Sequence, residues 1–558
     1  MTVAAVLMGI LRSAGVRYLF GNPGTTELPF LDALPDSGLT YVVALQEAAA
    51  AAAADGYAQA SGQLGVLNLH VAPGVANGLS ILHNAARARS PLVMTAGQQD
   101  SRLLLDEPIL SADLVQMTEQ FTKWSFEVRR ADEAAPALRR ALTLALTPPT
   151  GPVFLSLPMD LMAAGMEAPP PRPGAWRAPA RTHAESALIE RAADLLAAAR
   201  LPVVIAGDGV GRSEGAVQRL VALAEVLGAP VYGEPIYRRT NFPGRHSLWR
   251  GGLYPAPGAV AKALQDADVV LIAGADVFTW FLHAPGDPFR PGLPVIQLAD
   301  DPRQLGRSYP VQVGVSAEVG EALGGLLQAV TRRLTDEQRR AAADRRTTFD
   351  RQREEFVART TAVAEAEAER SPISPAYLMY TLGRLLPEDA VVVDESASSL
   401  PHVLRYLPFQ QPGSFFGSKT GTLGWAAGAA LGIQLASPQR KVVATIGDGS
   451  MLYAPQALWT AAHHRLPITY VVPNNASYAI LKAGMASLGL ASAKRGVYPG
   501  MDLVEPEIDY LTLARSLGVR AERVAKPGDL ADVLAQCLAH PGPTLVDVAI
   551  DRGVGART

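Results

Sequence analysis

Short apolar runs alternate with longer amphipathic or small-residue segments along the first third of the chain. Such runs predict buried strands, and the segments between them predict helices. We predict strands over 16–20, 41–45, 65–70, 91–96 and 152–157, and helices over 26–33, 47–61 and 75–88. Strand–helix–strand alternation is typical of a parallel sheet that helices cover on both faces.

The same alternation returns twice further along the chain. Strands are predicted over 202–206, 269–273 and 295–298, and then over 390–394, 441–446, 468–472 and 544–548. A stretch rich in Pro, Ala and Arg over 161–184 predicts a linker, and a dense charge run over 332–370 predicts a solvated connecting helix. We therefore expect an α/β protein of three doubly wound parallel-sheet domains, over 1–165, 185–332 and 372–552.

A glycine-rich turn, Gly207-Asp208-Gly209-Val210-Gly211, follows the first strand of the second domain. Turns at this place bind dinucleotides when the full Gly-rich fingerprint and a later acidic ribose ligand are present. The fingerprint is incomplete here and the acidic residue is not evident, so we predict an ordinary strand-to-helix turn.

Composition narrows the class of protein. Of the 558 residues, 48% are hydrophobic and 18% are charged, as in globular proteins with large cores. The net charge of −3 argues against nucleic acid as a partner, because phosphate binding needs a concentrated basic surface. Cys537 is the only cysteine, so we expect neither an internal disulfide nor a cysteine metal cluster.

Targeting signals are also lacking. The N-terminal segment has no basic start of the kind a signal peptide needs, and no apolar run approaches the roughly 20 residues of a membrane span. The Ala-rich run 48–54 lies between Glu47 and Asp55 and predicts a helix packed closely on a neighbour. We therefore expect a soluble, cytoplasmic protein without a membrane partner.

The most informative motif is Gly447-Asp448-Gly449-Ser450, directly after the predicted strand 441–446. The next strand leads into Asn474-Asn475-Ala476-Ser477-Tyr478, and Asp448 and Asn475 are 27 positions apart. One crossover of that length brings the carboxyl ends of two parallel strands together, at the edge where such sheets bind ligands. Carboxylate, amide and carbonyl oxygens there suit a hard cation that keeps phosphate ligands, although Gly-Asp-Gly alone is also an ordinary turn.

With the two asparagines at that spacing, the segment 447–478 closely resembles the fingerprint of thiamin-diphosphate enzymes. The resemblance implies a Mg²⁺ ion held by Asp448, the side chain of Asn475 and the carbonyl of Ser477. It also implies that the diphosphate of thiamin diphosphate lies close to Gly449, Ser450 and Tyr478.

An acidic residue, Glu47, follows the predicted strand 41–45 and opens the Ala-rich helix. It can stabilise the helix N-terminus, and it can equally be the carboxylate that thiamin chemistry requires beside the aminopyrimidine ring. Its surroundings resemble the benzoylformate decarboxylase branch of these enzymes, and the likeness extends across almost the whole chain. The segments that carry it are 20–30, 45–47, 56–61, 68–70, 96–99 and 421–424.

This second resemblance implies a pyrimidine-binding first domain, a middle domain and a diphosphate-binding third domain. It implies that Glu47 activates the cofactor and that His70 donates or accepts a proton near the reacting carbon. Thr25 stands where the branch has a serine that contacts the substrate carboxylate, and it keeps the hydroxyl but adds a methyl group.

Four further positions are implied to contact the cofactor. Leu423 matches the hydrophobic wedge between its two rings, and the carbonyl of Gly421 receives the aminopyrimidine hydrogen bond. Ala397 and Ser398 fall where the branch holds phosphate oxygens, and Ala397 can offer only its backbone.

The branch also has a second histidine in the site. Ungapped matching places Phe281 at that position, and His283 reaches the site only if its loop shifts by two residues. We predict a catalytic role for His283, with water or His70 as the alternative for that proton transfer.

The substrate pocket departs from the branch. Gly417 and Gly484 stand where benzoylformate enzymes carry aromatic side chains, and Ile480 replaces a smaller alanine. Ile109 and Leu110 keep an apolar wall. The pocket therefore favours an aromatic or branched substrate without specifying benzoylformate.

The resemblance implies non-oxidative decarboxylation of a 2-oxo acid to an aldehyde and CO₂. A carboligase of the aldehyde-lyase or acetolactate-synthase type is the alternative, since it shares every cofactor residue. An inactive regulatory subunit is disfavoured because Glu47 and Asp448 are both present. Active sites of this family lie between subunits, which implies a homodimer or homotetramer.

Overall fold

The computed structural model describes residues 1–166, 182–407 and 409–553. Its first sheet has six parallel strands in the order β2-β1-β3-β4-β6-β5. The strands are β1 Tyr18–Gly21, β2 Thr40–Val43, β3 Gly65–Leu69, β4 Leu92–Gln98, β5 Ser125–Glu127 and β6 Val153–Pro158. Five of them match the predicted strands to within two residues at each end. The sixth, β5, was missed because it is a half-buried edge strand without an apolar run.

The second sheet is also six-stranded and parallel, in the order β12-β11-β10-β7-β8-β9. Its strands are β7 Pro202–Ala206, β8 Val231–Gly233, β9 Trp249–Gly252, β10 Val269–Ala273, β11 Val295–Ala299 and β12 Val313–Ser316. The three predicted strands occupy the buried centre, and the three missed strands extend the sheet towards its edges.

The third sheet repeats the pattern in the order β14-β13-β15-β16-β18-β17. Its strands are β13 Val391–Glu395, β14 Phe415–Gly417, β15 Val442–Ile446, β16 Thr469–Asn474, β17 Arg520–Val524 and β18 Thr544–Ala549. The prediction of three parallel α/β sheets is confirmed. Part of the predicted linker, residues 167–181, lies outside the described residues.

Helices surround each sheet. Those of the first sheet are Val3–Ser13, Leu28–Asp32, Glu47–Ser61, Val71–Ala88, Leu114–Glu119, Ala131–Leu146 and Met159–Ala163. Those of the second are Ser186–Ala198, Asp208–Arg212, Ala216–Leu227, Pro257–Ala263 and Val319–Arg333. Those of the third are Pro375–Leu385, Leu400–Tyr406, Trp425–Ala436, Asp448–Met451, Ala457–His463, Ala479–Ser487, Ala491–Lys494, Tyr510–Ser516 and Leu530–Ala539.

The charge run forms one long connecting helix, Asp336–Ala366, between the second and third sheets. Ala342 and Ala364 are the only residues of this helix that are buried, which agrees with the predicted solvated helix. No helix among the described residues is both long and apolar enough to cross a membrane.

The first and third domains meet where the Ala-rich helix Glu47–Ser61 crosses the helix Trp425–Ala436. Small residues allow this close crossing, since a Cβ at Gly428 would lie 2.6 Å from the carbonyl oxygen of Ala49. Ala49 to Ala54 are all fully buried. The expected close-packed helix is therefore present, and its partner belongs to another domain.

Candidate active site

Strands β13, β15 and β16 lie side by side, so their carboxyl ends form one edge of the third sheet. Asp448 follows β15 and is buried. Its Oδ1 accepts a hydrogen bond from the N–H of Gly449 at 2.8 Å, whereas its Oδ2 is buried without a hydrogen-bond partner among the described residues. Burial raises the pKa of Asp448, and the nearby N–H groups of Gly449, Ala476 and Ser477 lower it. A buried oxygen without a partner suits a cation ligand.

Asn475 follows β16 at the same edge. Its Oδ1 accepts from the N–H of Ser477 at 3.0 Å, and its Nδ2 lies 3.4 Å from the hydroxyl of Ser398. The ring of Tyr478 closes over the Asp448 turn, where a Cβ on Gly449 would lie 2.5 Å from the ring. The sheet therefore brings together the metal and diphosphate residues that sequence reasoning proposed.

The segment that carries Gly421 and Leu423 is held at its end by Glu395, the last residue of β13. The two carboxylate oxygens of Glu395 accept from the N–H of Gly424 at 2.6 Å and from that of Ala426 at 2.7 Å. Sequence reasoning missed Glu395, although an acidic residue at a strand end beside the cofactor segment was a usable signal. Gly421 itself has φ +72° and no atom within 4 Å of its Cβ direction, so it faces open space.

In the first domain, Glu47 begins its helix at the edge of the sheet. Its Oε1 accepts from Nδ2 of Asn22 at 3.0 Å, and its Oε2 accepts from Nδ2 of Asn77 at 2.9 Å. Glu47 is half-buried, and both of its oxygens are oriented by side-chain amides.

His70 follows strand β3, which β1 separates from β2 in the sheet, and it contacts a carboxylate that sequence reasoning left without a role. Nδ1 of His70 is 2.8 Å from Oε2 of Glu27, and Glu27 is 1% exposed. Glu27 also accepts from the N–H of Gly24 at 2.9 Å and from that of Gly97 at 2.7 Å. A proton on Nδ1 satisfies this carboxylate and leaves Nε2 of His70 for a substrate.

Three further predicted site residues are exposed. Thr25 is exposed on the turn that precedes Glu27, and Ala397 and Ser398 are exposed at the edge of the third sheet. The signal that could have found Glu27 was its place two positions after Thr25, in a segment already singled out by its resemblance.

The middle-domain histidine stands apart. His283 is exposed on the loop after β10, and Phe281 is 77% exposed. Among the described residues, no hydrogen bond or ion pair joins His283 to His70. Nor does any join Glu47 to Asp448 or to the segment 421–424. Within one chain, the predicted site residues therefore form two separate groups, or half-sites, one at the edge of the first sheet and one at the edge of the third.

Comparison with known proteins covers the whole chain. Three family profiles match: Thiamine pyrophosphate enzyme, N-terminal TPP binding domain over 1–120, central domain over 189–326, and C-terminal TPP binding domain over 398–548. Benzoylformate decarboxylase of Pseudomonas aeruginosa is 34% identical over 551 residues, covering 98% of each chain. Acetolactate synthase isozyme 3 large subunit of Escherichia coli is 27% identical over 563 residues, covering 98% of this chain and 94% of its own.

Solved structures agree with the sequence matches. The thiamine diphosphate-dependent 4-hydroxybenzoylformate decarboxylase of Rhodococcus jostii superposes with a TM-score of 0.87 at 32% identity, covering 100% of both chains. Benzoylformate decarboxylase from Polynucleobacter necessarius gives a TM-score of 0.87 at 28% identity over 99% of both chains.

The chain therefore belongs to the thiamine pyrophosphate enzymes, and thiamin diphosphate is its cofactor. Within that family it lies in the benzoylformate decarboxylase-like branch and is an enzyme of the 2-oxo acid decarboxylase type, a lyase. The resemblance stated from the sequence, the α/β fold class and the cofactor prediction are all confirmed.

Proposed function

We propose that this enzyme decarboxylates an aromatic or branched 2-oxo acid without oxidation, giving an aldehyde and CO₂, with thiamin diphosphate and Mg²⁺. The observation that carries the proposal is the placement of His70, oriented by Glu27, beside Glu47 at one sheet edge. A proton donor of fixed tautomer next to the cofactor-activating carboxylate is what aldehyde formation requires.

Asp448, the side-chain oxygen of Asn475 and the carbonyl of Ser477 would hold Mg²⁺. The partnerless Oδ2 of Asp448 supports this assignment, because a bound cation would satisfy it. The turn after β15 would hold the diphosphate, since the short helix and its N–H groups favour an anion there. Its remaining neighbours are Gly449, Ser450, Tyr478, Ala397 and Ser398.

Residues of both half-sites would hold the rings of the cofactor. Glu47 would hydrogen-bond the aminopyrimidine, the carbonyl of Gly421 would accept from it, and Leu423 would pack between the rings. Thiamin diphosphate, when bound, supplies the nucleophilic carbon and the electron sink for loss of CO₂. Thr25 and His70 orient the substrate carboxylate, and His70 delivers a proton from Nε2 to the developing product.

The pocket lacks the two aromatic side chains that would hold a flat aryl group, because glycines stand at positions 417 and 484. A Cβ at Gly417 would lie 2.7 Å from Cδ of Arg238, so a middle-domain arginine fills the space beside that glycine. Gly484 has no atom within 4 Å of its Cβ direction and leaves room. Ile480 and Ile109 present exposed apolar side chains.

The active unit is at least a homodimer, and a tetramer is compatible with it. Apolar side chains are exposed beside both half-sites, which is typical of a surface that another copy covers. They are Leu28, Leu45, Leu105, Ile109, Tyr453 and Leu488. Mass measurement in solution tests this, and a monomer that retains full activity would contradict it.

The function is tested by measuring CO₂ release from a panel of aromatic, branched and linear 2-oxo acids with cofactor and Mg²⁺ supplied. We expect turnover to be highest with aromatic or branched members and to stop when EDTA removes the metal. Absence of turnover with every member of the panel would overturn the proposal.

Carboligation is the second candidate, and the acetolactate synthase relative favours it. The same residues serve both reactions, which differ in whether a proton or a second carbonyl compound is accepted. Product analysis with an added aldehyde distinguishes them: a 2-hydroxy ketone in place of the free aldehyde identifies a carboligase.

A further inference from the structure

The glycine-rich turn of the middle domain has a role in this structure that involves no nucleotide. Its Asp208 accepts a hydrogen bond from Nζ of Lys419 at 2.7 Å, and Glu234 accepts from the same ammonium at 2.8 Å. Lys419 belongs to the third domain and its side chain is 5% exposed. Each of these buried charges would carry a large desolvation cost if it were unpaired. The ammonium and the two carboxylates are therefore held together in one geometry.

The two carboxylates are themselves held by the middle domain. Asp208 accepts from Nδ2 of Asn241 at 3.2 Å, and Glu234 accepts from the N–H of Asp208 at 2.9 Å and from that of Asp276 at 3.0 Å. Burial would lower the pKa of Lys419, but Asp208 and Glu234 outweigh burial and the pKa is raised. The ammonium therefore stays charged and tied to the middle domain.

The backbone of Lys419 is tied to the first domain. Its N–H donates to Oδ1 of Asn84 at 2.8 Å, and Nδ2 of Asn84 donates to the buried Asp55 at 2.9 Å. Asp55 also accepts from Nε1 of Trp425 at 2.7 Å. The segment 419–425 is thus anchored at both ends, by groups from all three domains.

The residues between these anchors are those assigned to the cofactor. Gly421 has open space around it, and Leu423 is half-buried. The hydroxyl of Thr422 lies 2.7 Å from the hydroxyl of Thr420, inside the segment, and makes a long hydrogen bond of 3.3 Å to the carbonyl of Ser80. Because these contacts give the middle of the segment little support from outside it, its position depends on its ends.

We propose that Lys419 is a positioning residue, through which Asp208 and Glu234 of the middle domain set the place of Gly421 and Leu423 against the cofactor rings. The inference rests on the proposed roles of those two residues. It assigns a task to the glycine-rich turn of the middle domain, which contributes no group to the chemistry proposed above.

Two variants test the proposal. Lys419→Met removes the ammonium but leaves two buried carboxylates uncompensated, which can prevent folding. The triple variant Lys419→Met, Asp208→Asn, Glu234→Gln removes all three charges and keeps the buried site neutral. Lys441→Met is the matched control, since Lys441 is a half-buried lysine of the same domain whose Nζ donates to the carbonyl of Pro467 at 3.0 Å, away from the segment.

The first readout is amide hydrogen exchange at Thr420 and Gly424 in the cofactor-free protein, since their N–H groups donate to Asn84 and Glu395. Exchange in the triple variant should be at least about tenfold faster than in the wild type, equivalent to about 1.4 kcal/mol of local stability. The second readout is catalysis: kcat should fall about 10- to 100-fold, while the dissociation constant for thiamin diphosphate with Mg²⁺ changes less. Lys441→Met should change none of these quantities.

A folded triple variant with wild-type exchange at Thr420 and Gly424 and wild-type kcat would overturn the proposal, since Lys419 would then only neutralise its partners. Faster exchange with unchanged kcat would also overturn it, because the segment would be loosened without consequence for the rings. If the wild type itself binds no thiamin diphosphate, the proposed function fails instead, and the exchange experiment still reports whether Lys419 supports the segment.

Discussion

Nδ1 of His70 lies 2.8 Å from Oε2 of Glu27, and this carboxylate is buried with the N–H groups of Gly24 and Gly97 also bonded to it. The two residues are 43 positions apart and meet because β1 and β3 are neighbours. A buried carboxylate on one imidazole nitrogen determines which nitrogen carries the proton and which one faces the substrate.

Glu27→Gln should lower kcat by at least about a hundredfold, because an amide N–H directed at Nδ1 favours the opposite tautomer. Affinity for thiamin diphosphate should not change, since no hydrogen bond or ion pair within the described part of the chain joins Glu27 to a residue assigned to the cofactor. Steady-state kinetics and cofactor titration measure both quantities. Glu119→Gln, an exposed change in the same domain, is the control, and equal kcat in the two variants would contradict the role of Glu27.

Glu47→Gln should retain thiamin diphosphate but lose at least about a hundredfold in kcat, because the amide cannot share a proton with the aminopyrimidine. One of Asn22 and Asn77 would still donate to the remaining side-chain oxygen, so the fold should be preserved. CO₂ release and cofactor titration are the measurements. Full activity in this variant would remove Glu47 from cofactor activation.

Asp448→Asn should raise the dissociation constant for thiamin diphosphate in the presence of Mg²⁺ at least about tenfold, a loss of about 1.4 kcal/mol. The reason is that the substitution removes the anionic ligand of the proposed metal site. Calorimetric titration with and without Mg²⁺ measures this dissociation constant. Asp529→Asn, exposed in the same domain, should bind as the wild type does, and metal-independent binding in both would refute the site.

The role assigned to His283 predicts that His283→Ala lowers kcat about tenfold or more, whereas Phe281→Ala does not. Both side chains are exposed within one chain, so any effect must arise where another element or subunit covers the loop. Pre-steady-state measurement of product release is the sharpest readout. If Phe281→Ala lowered kcat and His283→Ala did not, Phe281 would be the residue that occupies this place in the site. The proton transfer would then fall to water or His70.

Glu395→Gln tests a pH effect on stability. Burial raises the pKa of Glu395 to about 8, against 4.5 for the free side chain. Between those values the folded protein keeps a proton that the unfolded chain releases, so stability falls as pH rises from about 4.5 to about 8 and changes no further above that. The variant cannot titrate, and its Tm relative to the wild type should therefore rise from about pH 5 to about pH 8.

The substitution also disturbs the bonds to Gly424 and Ala426, so a constant Tm offset is expected besides the pH-dependent change. Glu388→Gln, exposed and near the same strand, provides the control. Parallel Tm curves for wild type and Glu395→Gln would show that this carboxyl is ionised in the folded protein.

Local patterns predicted the elements that are buried on both faces. The strands Pro202–Ala206 and Val269–Ala273 were predicted with correct bounds, because a central parallel strand is a continuous apolar run. Edge strands such as Ser125–Glu127 carry no such run and were missed. That Asp448 and Asn475 follow neighbouring strands was also predictable, since one crossover connects the two strands.

The amino-acid sequence by itself determined the three α/β sheets and the cofactor class, and it predicted the residues around the cofactor's charged end, because each depends on periodicity or on short spacing. Only the tertiary structure decided that Glu27 orients His70 and that Lys419 reaches Asp208, which is 211 positions away. Contacts of this kind depend on which strands and domains become neighbours. A charged residue in a loop looks the same along the chain whether it is solvated or paired in a buried junction.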